Sequence, residues 1–513
     1  MIIVYHINTK ITAVVALDNQ KIEFDYQGTI AGGLQQIAKE FPEKKILWCH
    51  SAVKERLNLE AIKMLFHHDK MMLSFSSSQH NFFDRKIGYV DESLFINVNK
   101  EVSYPTWQMS SIAGVIHASV LNALKDKIVC DANFDYYLSS IAKIGMPLGL
   151  LCYSEPRLLK SGELKSRSKA GIYTLFRFVK QHYKKRWVFL LLLNFMLYER
   201  KFPVLPFLFS FFYKYRSNTN INLDNIKVES SLNVIDKGTV DVIIPTIGRK
   251  DYLFDVLKDF SKQTLLPKKI IVVEQNAQQG SVTELDYILN GKWPFVIKHI
   301  FIHQAGVCNA RNLALNYAES EWVFLADDDN RFEPNLIQDV LQNIKQYGNE
   351  AMTTSYPQKN ESKKYRKVIQ WPTFGAGNSF VKRNLLNGVR FNTALEFGYG
   401  EDADFGMQIR NQSHDVLYFP EPEILHLKAP IGGFRTKPIL LWQKDPIQPK
   451  PSPTVMLYII LHNSKEQFRG YKTTLFFKFY KHQNIKNPYS YFKMFQKQWG
   501  QSIFWANQLK KAS

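Results

Sequence analysis

Trp322-Val323-Phe324-Leu325-Ala326-Asp327-Asp328-Asp329 runs five apolar residues straight into three carboxylates. A short, wholly apolar run reads as a strand buried on both faces of a parallel sheet. Three adjacent carboxylates repel one another, so such a cluster makes sense beside a divalent cation or a ligand's cationic partner. Oxygen ligands of this kind suit Mg²⁺ or Mn²⁺, which bridge protein carboxylates to phosphates. A solvated acidic turn is the alternative. The place of the triplet, at the end of a buried strand, favours the metal.

Upstream, Val240-Asp241-Val242-Ile243-Ile244 ends at Pro245 and Ile270-Ile271-Val272-Val273 ends at Glu274, two more buried strands, with Phe295 to Ile302 a further one. Leu253, Phe254, Leu257 and Phe260 share one helical face, and Ala310, Leu313, Ala314, Tyr317 and Ala318 repeat at helical spacing. This alternation predicts an α/β fold with a mostly parallel sheet flanked by helices. Ligands of such sheets bind beyond the carboxyl ends of the strands. Pro245, Glu274 and the Asp triplet all follow strand ends, so they can converge on one cleft.

Three more pieces bear on chemistry. Glu401-Asp402 opens a predicted helix after Gly398-Tyr399-Gly400. Acids there either cap the helix through its dipole or take a proton from an acceptor hydroxyl. His426, in the apolar run Ile424-Leu425-His426-Leu427, is alone an ordinary core or edge residue. It becomes a candidate metal ligand because Asp329 offers a second donor. Gly306, Asn309, Arg311 and Asn312 combine a cation with a helix start, which suits a diphosphate or a plain surface cap.

The ordered set resembles the family 2 glycosyltransferases of the GT-A fold, over residues 237–436. It comprises Ile243-Ile244-Pro245-Thr246 with Arg249, Val272-Val273-Glu274, Ala310-Arg311-Asn312, Asp327-x-Asp329, Gly375-Ala376-Gly377-Asn378, Gly400-Glu401-Asp402, Arg410 and His426. Glu274 departs from the family's usual Asp. The QxxRW signature of processive members is absent after Arg410, where the chain reads Arg410-Asn411-Gln412-Ser413-His414. That argues against a chain-extruding synthase. The resemblance implies that Pro245, Thr246, Arg249, Glu274, Arg311, Asp327 and Asp328 bind a nucleotide-sugar donor, UDP-linked by default. It implies that Asp329 and His426 hold Mg²⁺ or Mn²⁺. Asp402 is then the base on the acceptor hydroxyl, Glu401 orients acceptor or base, and the anomeric centre inverts.

Residues 1–155 read as a smaller, degenerate copy of the same fold, without catalysis of its own. Lys45-Ile46-Leu47-Trp48-Cys49-His50-Ser51 parallels the Asp strand, with Cys49, His50 and Ser51 in place of the metal carboxylates. Phe134-Asp135 parallels Glu401-Asp402. An unrelated α/β domain is the alternative.

The 513-residue chain is 45% hydrophobic and 22% charged, which excludes a disordered, collagen-like or heptad-rod protein. Its four cysteines, Cys49, Cys130, Cys152 and Cys308, are widely spaced and form no CxxC pair. They predict neither a zinc site nor a disulfide framework, as in a reducing compartment. The opening MIIVYHINTK lacks a signal-peptide layout.

The net charge of +20 is localised. Residues 165–216 hold twelve Lys or Arg against one acid, and residues 437–513 hold thirteen against two, +11 in each segment. The connector 156–236 also carries Trp187 to Tyr198, too short to cross a bilayer. Apolar runs flanked by Lys, Arg and Trp suit a peripheral contact with an anionic membrane, or a core helix pair with a basic face. The aromatic, basic, helical tail 437–513 reads the same way, or as a homodimer surface. No nucleic-acid module accompanies the charge. The resulting expectation is a cytoplasmic enzyme on the inner face of a bacterial cell membrane, moving one sugar onto a lipid-linked glycan. The alternatives are a non-catalytic scaffold of a glycan assembly complex and a nucleic-acid-binding protein.

Overall fold

The computed structural model describes residues 1–18, 20–75, 81–162, 169–216, 220–430 and 438–512. The domain boundary expected at 436/437, and Lys165 and Arg167 of the basic connector, lie outside these residues. The chain divides into two compact units. The first is Met1–Leu232 with Gln346–Gly348 and Ser464–Leu475; the second is Asn233–Lys345, Asn349–Asn463 and Phe476–Ser513.

The first unit is built on β1 (Ile2–Ile7), β2 (Lys10–Ala16), β3 (Lys21–Ile22), β4 (Lys45–His50), β5 (Met71–Ser74), β6 (Tyr104–Pro105), β7 (Ala113–His117) and β8 (Leu151–Ser154). The second has β9 (Val240–Thr246), β10 (Lys269–Gln275), β11 (Val296–Ile302), β12 (Trp322–Ala326), β13 (Asn330–Arg331), β14 (Ala351–Ser355), β15 (Ile369–Gln370), β16 (Asn378–Lys382), β17 (Leu417–Glu423) and β18 (Leu425–His426). Every residue of β9 and of β12 is buried, as continuous apolar runs require when helices cover both faces of a sheet.

The two sheets share one strand order. The first reads β3-β2-β1-β4-β7-β5-β8-β6 and the second β11-β10-β9-β12-β16-β14-β17-β15. Directions agree from β1 and β9 onward: β1 runs parallel to β4 as β9 does to β12, and β7 and β16 run antiparallel to those strands. The sheets differ at the edge. β9, β10 and β11 are parallel, linked by helices, whereas β1, β2 and β3 form antiparallel hairpins. The first unit is thus the same architecture with its leading βαβ crossovers collapsed to hairpins. Its core centres on Trp48, whose ring lies where a Cβ on Gly114 of the neighbouring strand would sit, 2.1 Å away. Only glycine fits there.

The C-terminal region is helical, at Pro453–His462, Lys465–Tyr480 and Pro488–Ala512. The helix Pro488–Ala512 buries Tyr491, Phe495, Trp499, Ser502 and Ala506, a stripe at i+3 and i+4 spacing that faces inward. Tyr491 and Phe495 pack on Phe476 at 4.9 and 5.3 Å between ring centres. Tyr491, Phe495 and Trp499 of the tail are therefore core, whereas Phe477, Tyr489, Phe492 and Phe504 stay exposed. All four cysteines are free thiols.

Candidate active site

Strands β9, β10 and β12 end at one edge, where parallel register brings Pro245, Thr246, Gln275 and Asp327 to the same level. They open into a cleft of ≈ 650 Å³. Pro245, Thr246, Arg249, Arg311, Asp327, Asp328, Asp329, Glu401, Asp402 and His426 all line it. The fold gathers residues that are up to 181 positions apart in the chain, Pro245 and His426 being the extremes.

The Asp triplet splits by task. Asp328 points into the protein, where Thr246 donates to Oδ2 at 2.7 Å and Arg249 to Oδ1 at 2.8 Å. Burial pushes its carboxyl up to about 7, against the pull of Arg249. Asp329 accepts the Ala429 N–H at 2.8 Å and an Arg249 N–H at 3.3 Å on Oδ2. Burial opposes its ionisation, but His426, the Ala429 N–H and Arg249 outweigh burial and hold the carboxyl below its ordinary range. Asp327 accepts from Arg311 at 3.1 Å and from the Tyr356 hydroxyl at 3.2 Å.

The short ribbon β13·β18 pairs Asn330 with His426, and this sets the imidazole beside the triplet. Nε2 of His426 lies 3.6 Å from Oδ1 of Asp329, beyond hydrogen-bonding range. That oxygen is buried and has no hydrogen-bond partner among the described residues. Ligand atoms of Asp327, Asp329 and His426 all lie within 4.8 Å of one another. Two carboxylates, one of them with an orphaned buried oxygen, and one imidazole are a donor set that fits Mg²⁺ or Mn²⁺.

Asp402 is the second residue of the helix Glu401–Asn411. Its side chain lines the cleft, 38% exposed, but its Oδ1 is buried and has no hydrogen-bond partner among the described residues, Arg311 approaching only to 3.9 Å. Burial raises the Asp402 carboxyl above the ordinary range, while Arg311 pulls it down. Burial raises Glu401 as well, and the neighbouring Asp402 charge adds to the shift.

Two expected contacts turn out differently. Glu274 does not line the cleft. It faces the other side of β10, where Thr283, the Glu284 N–H and His299 donate to its carboxylate at 2.6, 3.0 and 2.8 Å. The next residue, Gln275, reaches the cleft instead, because side chains alternate along a strand. The helix Val307–Leu315 does not offer its start to a diphosphate. Glu396 accepts the N–H groups of Cys308 and Asn309 at 3.1 and 3.0 Å, and Gln275 accepts that of Gly306 at 2.6 Å. Asn312 is spent on the backbone of Phe391. Arg311 does reach the site, but as a partner of Asp327 and Asp402.

Comparison with known proteins decides the class. Residues 241–401 match the sequence model described as Glycosyl transferase family 2. They form a family 2 glycosyltransferase domain. An uncharacterized glycosyltransferase of Haemophilus influenzae is 26% identical to the chain over 110 residues, 21% of this chain and 36% of that protein. Among solved structures, S. aureus TarS 1–349 in complex with UDP-GlcNAc is 17% identical with a TM-score of 0.37, covering 52% of this chain and 79% of that one. GalNAc-T7 with UDP, GalNAc and Mn²⁺ is 13% identical with a TM-score of 0.33, covering 40% of this chain and 48% of that one.

The transferase domain also uses residues that its sequence does not announce. Tyr356 stacks flat on His426, 4.5 Å between ring centres and 5° from parallel. Its hydroxyl reaches Asn330 at 2.5 Å as well as Asp327. Gly377 makes room for this: a Cβ there would lie 2.2 Å from Asp327 Oδ2. The glycines around Asn378 were visible in the sequence, but nothing in the run Thr353 to Pro357 marks Tyr356 as a neighbour of His426. Lys428 and Glu396 line the cleft and are likewise unmarked.

In the first unit the register places Cys49 opposite Ala113, as Ala326 is opposite Asn378. His50, Ser51 and Ala52 thus stand where the second unit has Asp327, Asp328 and Asp329, one position later than the sequence comparison placed them. Asp135, second residue of the helix Phe134–Gly145, matches Asp402 and accepts the Ser111 N–H at 2.7 Å and hydroxyl at 2.9 Å. The carboxylate at the helix start is kept in this unit; the carboxylate triplet is not.

Proposed function

We propose that the protein is a metal-dependent, inverting glycosyltransferase that moves a single sugar from a nucleoside-diphosphate donor, UDP-linked by default, to a hydroxyl of a glycan acceptor. The observation that carries this reading is the pairing of two orphaned carboxylate oxygens in one cleft. Oδ1 of Asp329 faces His426, and Oδ1 of Asp402 lies buried 3.9 Å from Arg311. Asp329, His426 and Asp327 would hold the divalent ion. When bound, the ion neutralises charge on the departing diphosphate. Thr246 and Arg249 position the donor around Asp328. The Asp402 carboxylate takes the proton of the acceptor hydroxyl. The oxygen bonds to the anomeric carbon from the face opposite the leaving group. The bond from that carbon to the diphosphate oxygen breaks, and its electron pair leaves with the nucleoside diphosphate. Glu401 orients the acceptor or the base.

The first unit, which lacks the carboxylate triplet, acts without catalysis, in acceptor binding or assembly. The acceptor is a lipid-linked glycan of bacterial surface polysaccharide synthesis, met at the inner face of the cell membrane. Basic segments and exposed apolar side chains support that placement, as does the absence, among the described residues, of any helix long and apolar enough to cross a membrane. The test is release of nucleoside diphosphate from a panel of nucleotide sugars with Mn²⁺. Hydrolysis of one donor, lost on chelation and in Asp329→Ala, is expected. A panel with no donor turned over, or an unchanged metal response in Asp329→Ala, rejects the reading.

A further inference from the structure

The first unit carries a surface that sugar transfer does not use. Helix Val204–Ser210 buries only Pro206 and Ser210 and turns Val204, Leu205, Leu208 and Phe209 outward. A helix facing water has the opposite arrangement. The apolar face continues past both ends, with Phe202 69% and Phe212 82% exposed. Its rings touch in two groups. Phe209 lies 5.9 Å from Tyr173 and 5.9 Å from Phe212, and Phe211 lies 5.1 Å from Phe207 and 5.9 Å from Phe189. Exposed apolar faces of this kind mark interaction sites.

The charge around the face identifies what covers it. Lys184, Lys185, Arg186, Arg200, Lys201 and Lys214 are exposed along the same stretch of chain. The single acid between residues 165 and 216, Glu199, is engaged by the Tyr89 hydroxyl at 2.6 Å. A second copy of the chain would set these cations against their equals. A leaflet with anionic headgroups over acyl chains matches both the exposed apolar side chains and the exposed cations of the same stretch of chain. No helix among the described residues can span a bilayer, so the contact is made from one side.

We infer that residues 184–214 insert into one leaflet of an anionic membrane, the side chains of the Val204–Ser210 helix and its flanks entering the acyl layer while the six cations hold headgroup phosphates. The inference deepens the membrane placement proposed above and rests on it and on these exposed side chains, apart from the transferase chemistry.

The test is co-sedimentation of the full chain with vesicles of phosphatidylglycerol and phosphatidylethanolamine, and with phosphatidylcholine alone. Binding to the anionic vesicles only is expected. The triple variant Leu205→Ser, Phe209→Ser, Phe212→Ser is expected to bind at least about tenfold more weakly. All three side chains are exposed, so its melting curve and its donor hydrolysis in solution stay those of the parent. Lys184→Glu with Lys185→Glu and Arg186→Glu is expected to abolish the anionic preference. Three results overturn the inference: no sedimentation of the parent protein, equal sedimentation of the serine variant, or a lipid-free dimer that the serine variant dissolves. Normal vesicle binding with no donor hydrolysis counts against the transferase reading alone.

Discussion

Asp402 and Glu401 stand side by side at a helix start, and burial raises both carboxyls while Arg311 opposes the shift. In the proposed mechanism the general base works as the carboxylate, so transfer should rise with pH as this pair ionises, above the ordinary carboxylate range. Asp402→Asn should lower turnover by about 10²–10⁴-fold with donor affinity nearly intact, because the proton acceptor goes and the donor contacts stay. Lost donor affinity would assign Asp402 to the donor instead. Arg311→Gln removes the cation that favours ionisation of Asp402. The acid limb of its pH–rate profile should move to higher pH, and a limb that stays put would show that Arg311 does not govern the base.

At the level of elements, the cleft depends on loops held by buried polar anchors. Arg410 is fully buried at the end of the helix Glu401–Asn411. It donates to the carbonyls of Trp371 and Pro372, just before the Gly375-Ala376-Gly377 turn, and faces Asp415 at 3.6 Å. Lysine keeps the charge but not the planar fork, so Arg410→Lys should destabilise the protein by about 2 kcal/mol in denaturant unfolding. Full stability in that variant would mean the fork is dispensable. The matched helix in the first unit gives a second prediction. Asp135 occupies the position of Asp402 without a carboxylate triplet beside it, so Asp135→Asn should leave donor hydrolysis within about twofold of the parent, far from the loss expected of a general base. A loss like that of Asp402→Asn would make the first unit catalytic.

Across the whole molecule, folding favours the neutral form of His67, His68 and His182 in the first unit. Burial lowers His67 to about 4, with Lys45 adding to the effect. Burial also lowers His68, helped by His67, and His182, helped by Arg216. Their tethers suit neutral rings: Nδ1 of His68 accepts the Lys70 N–H at 3.2 Å. A histidine pKa lowered by folding means that the unfolded chain binds the proton more readily. Stability from these groups is therefore whole above the ordinary histidine value and is lost as pH falls below it, over a window reaching down to about 4 for His67. At about 1.4 kcal/mol per pK unit, His67 alone stands for a loss on the order of 3 kcal/mol. Hydrogen exchange followed from pH 7 downward should show amides of residues 1–232 opening before those around β9 and β12. Simultaneous opening of both units would deny the histidines this role.

Much of the catalytic half was legible from the chain because its information is local. Buried strands are continuous apolar runs, helices repeat at 3.6 residues, and a carboxylate cluster needs a reason to exist. The runs at Val240, Ile270 and Trp322, and the carboxylates after the last, follow from those rules. Internal similarity also announced a second copy. Only the fold decided which face of a strand each end residue takes, and so Gln275 rather than Glu274 entered the cleft. Only the fold brought Glu396 onto the helix start meant for a phosphate, laid Tyr356 against His426, and shifted the triplet's counterparts to His50, Ser51 and Ala52. It likewise turned Phe495 and Trp499 inward and Phe209 and Phe212 outward, a distinction that composition cannot make. The reason is physical: periodicity reports what one segment does to itself, whereas contacts between distant segments are fixed by the register of neighbouring strands and by which surfaces close over one another.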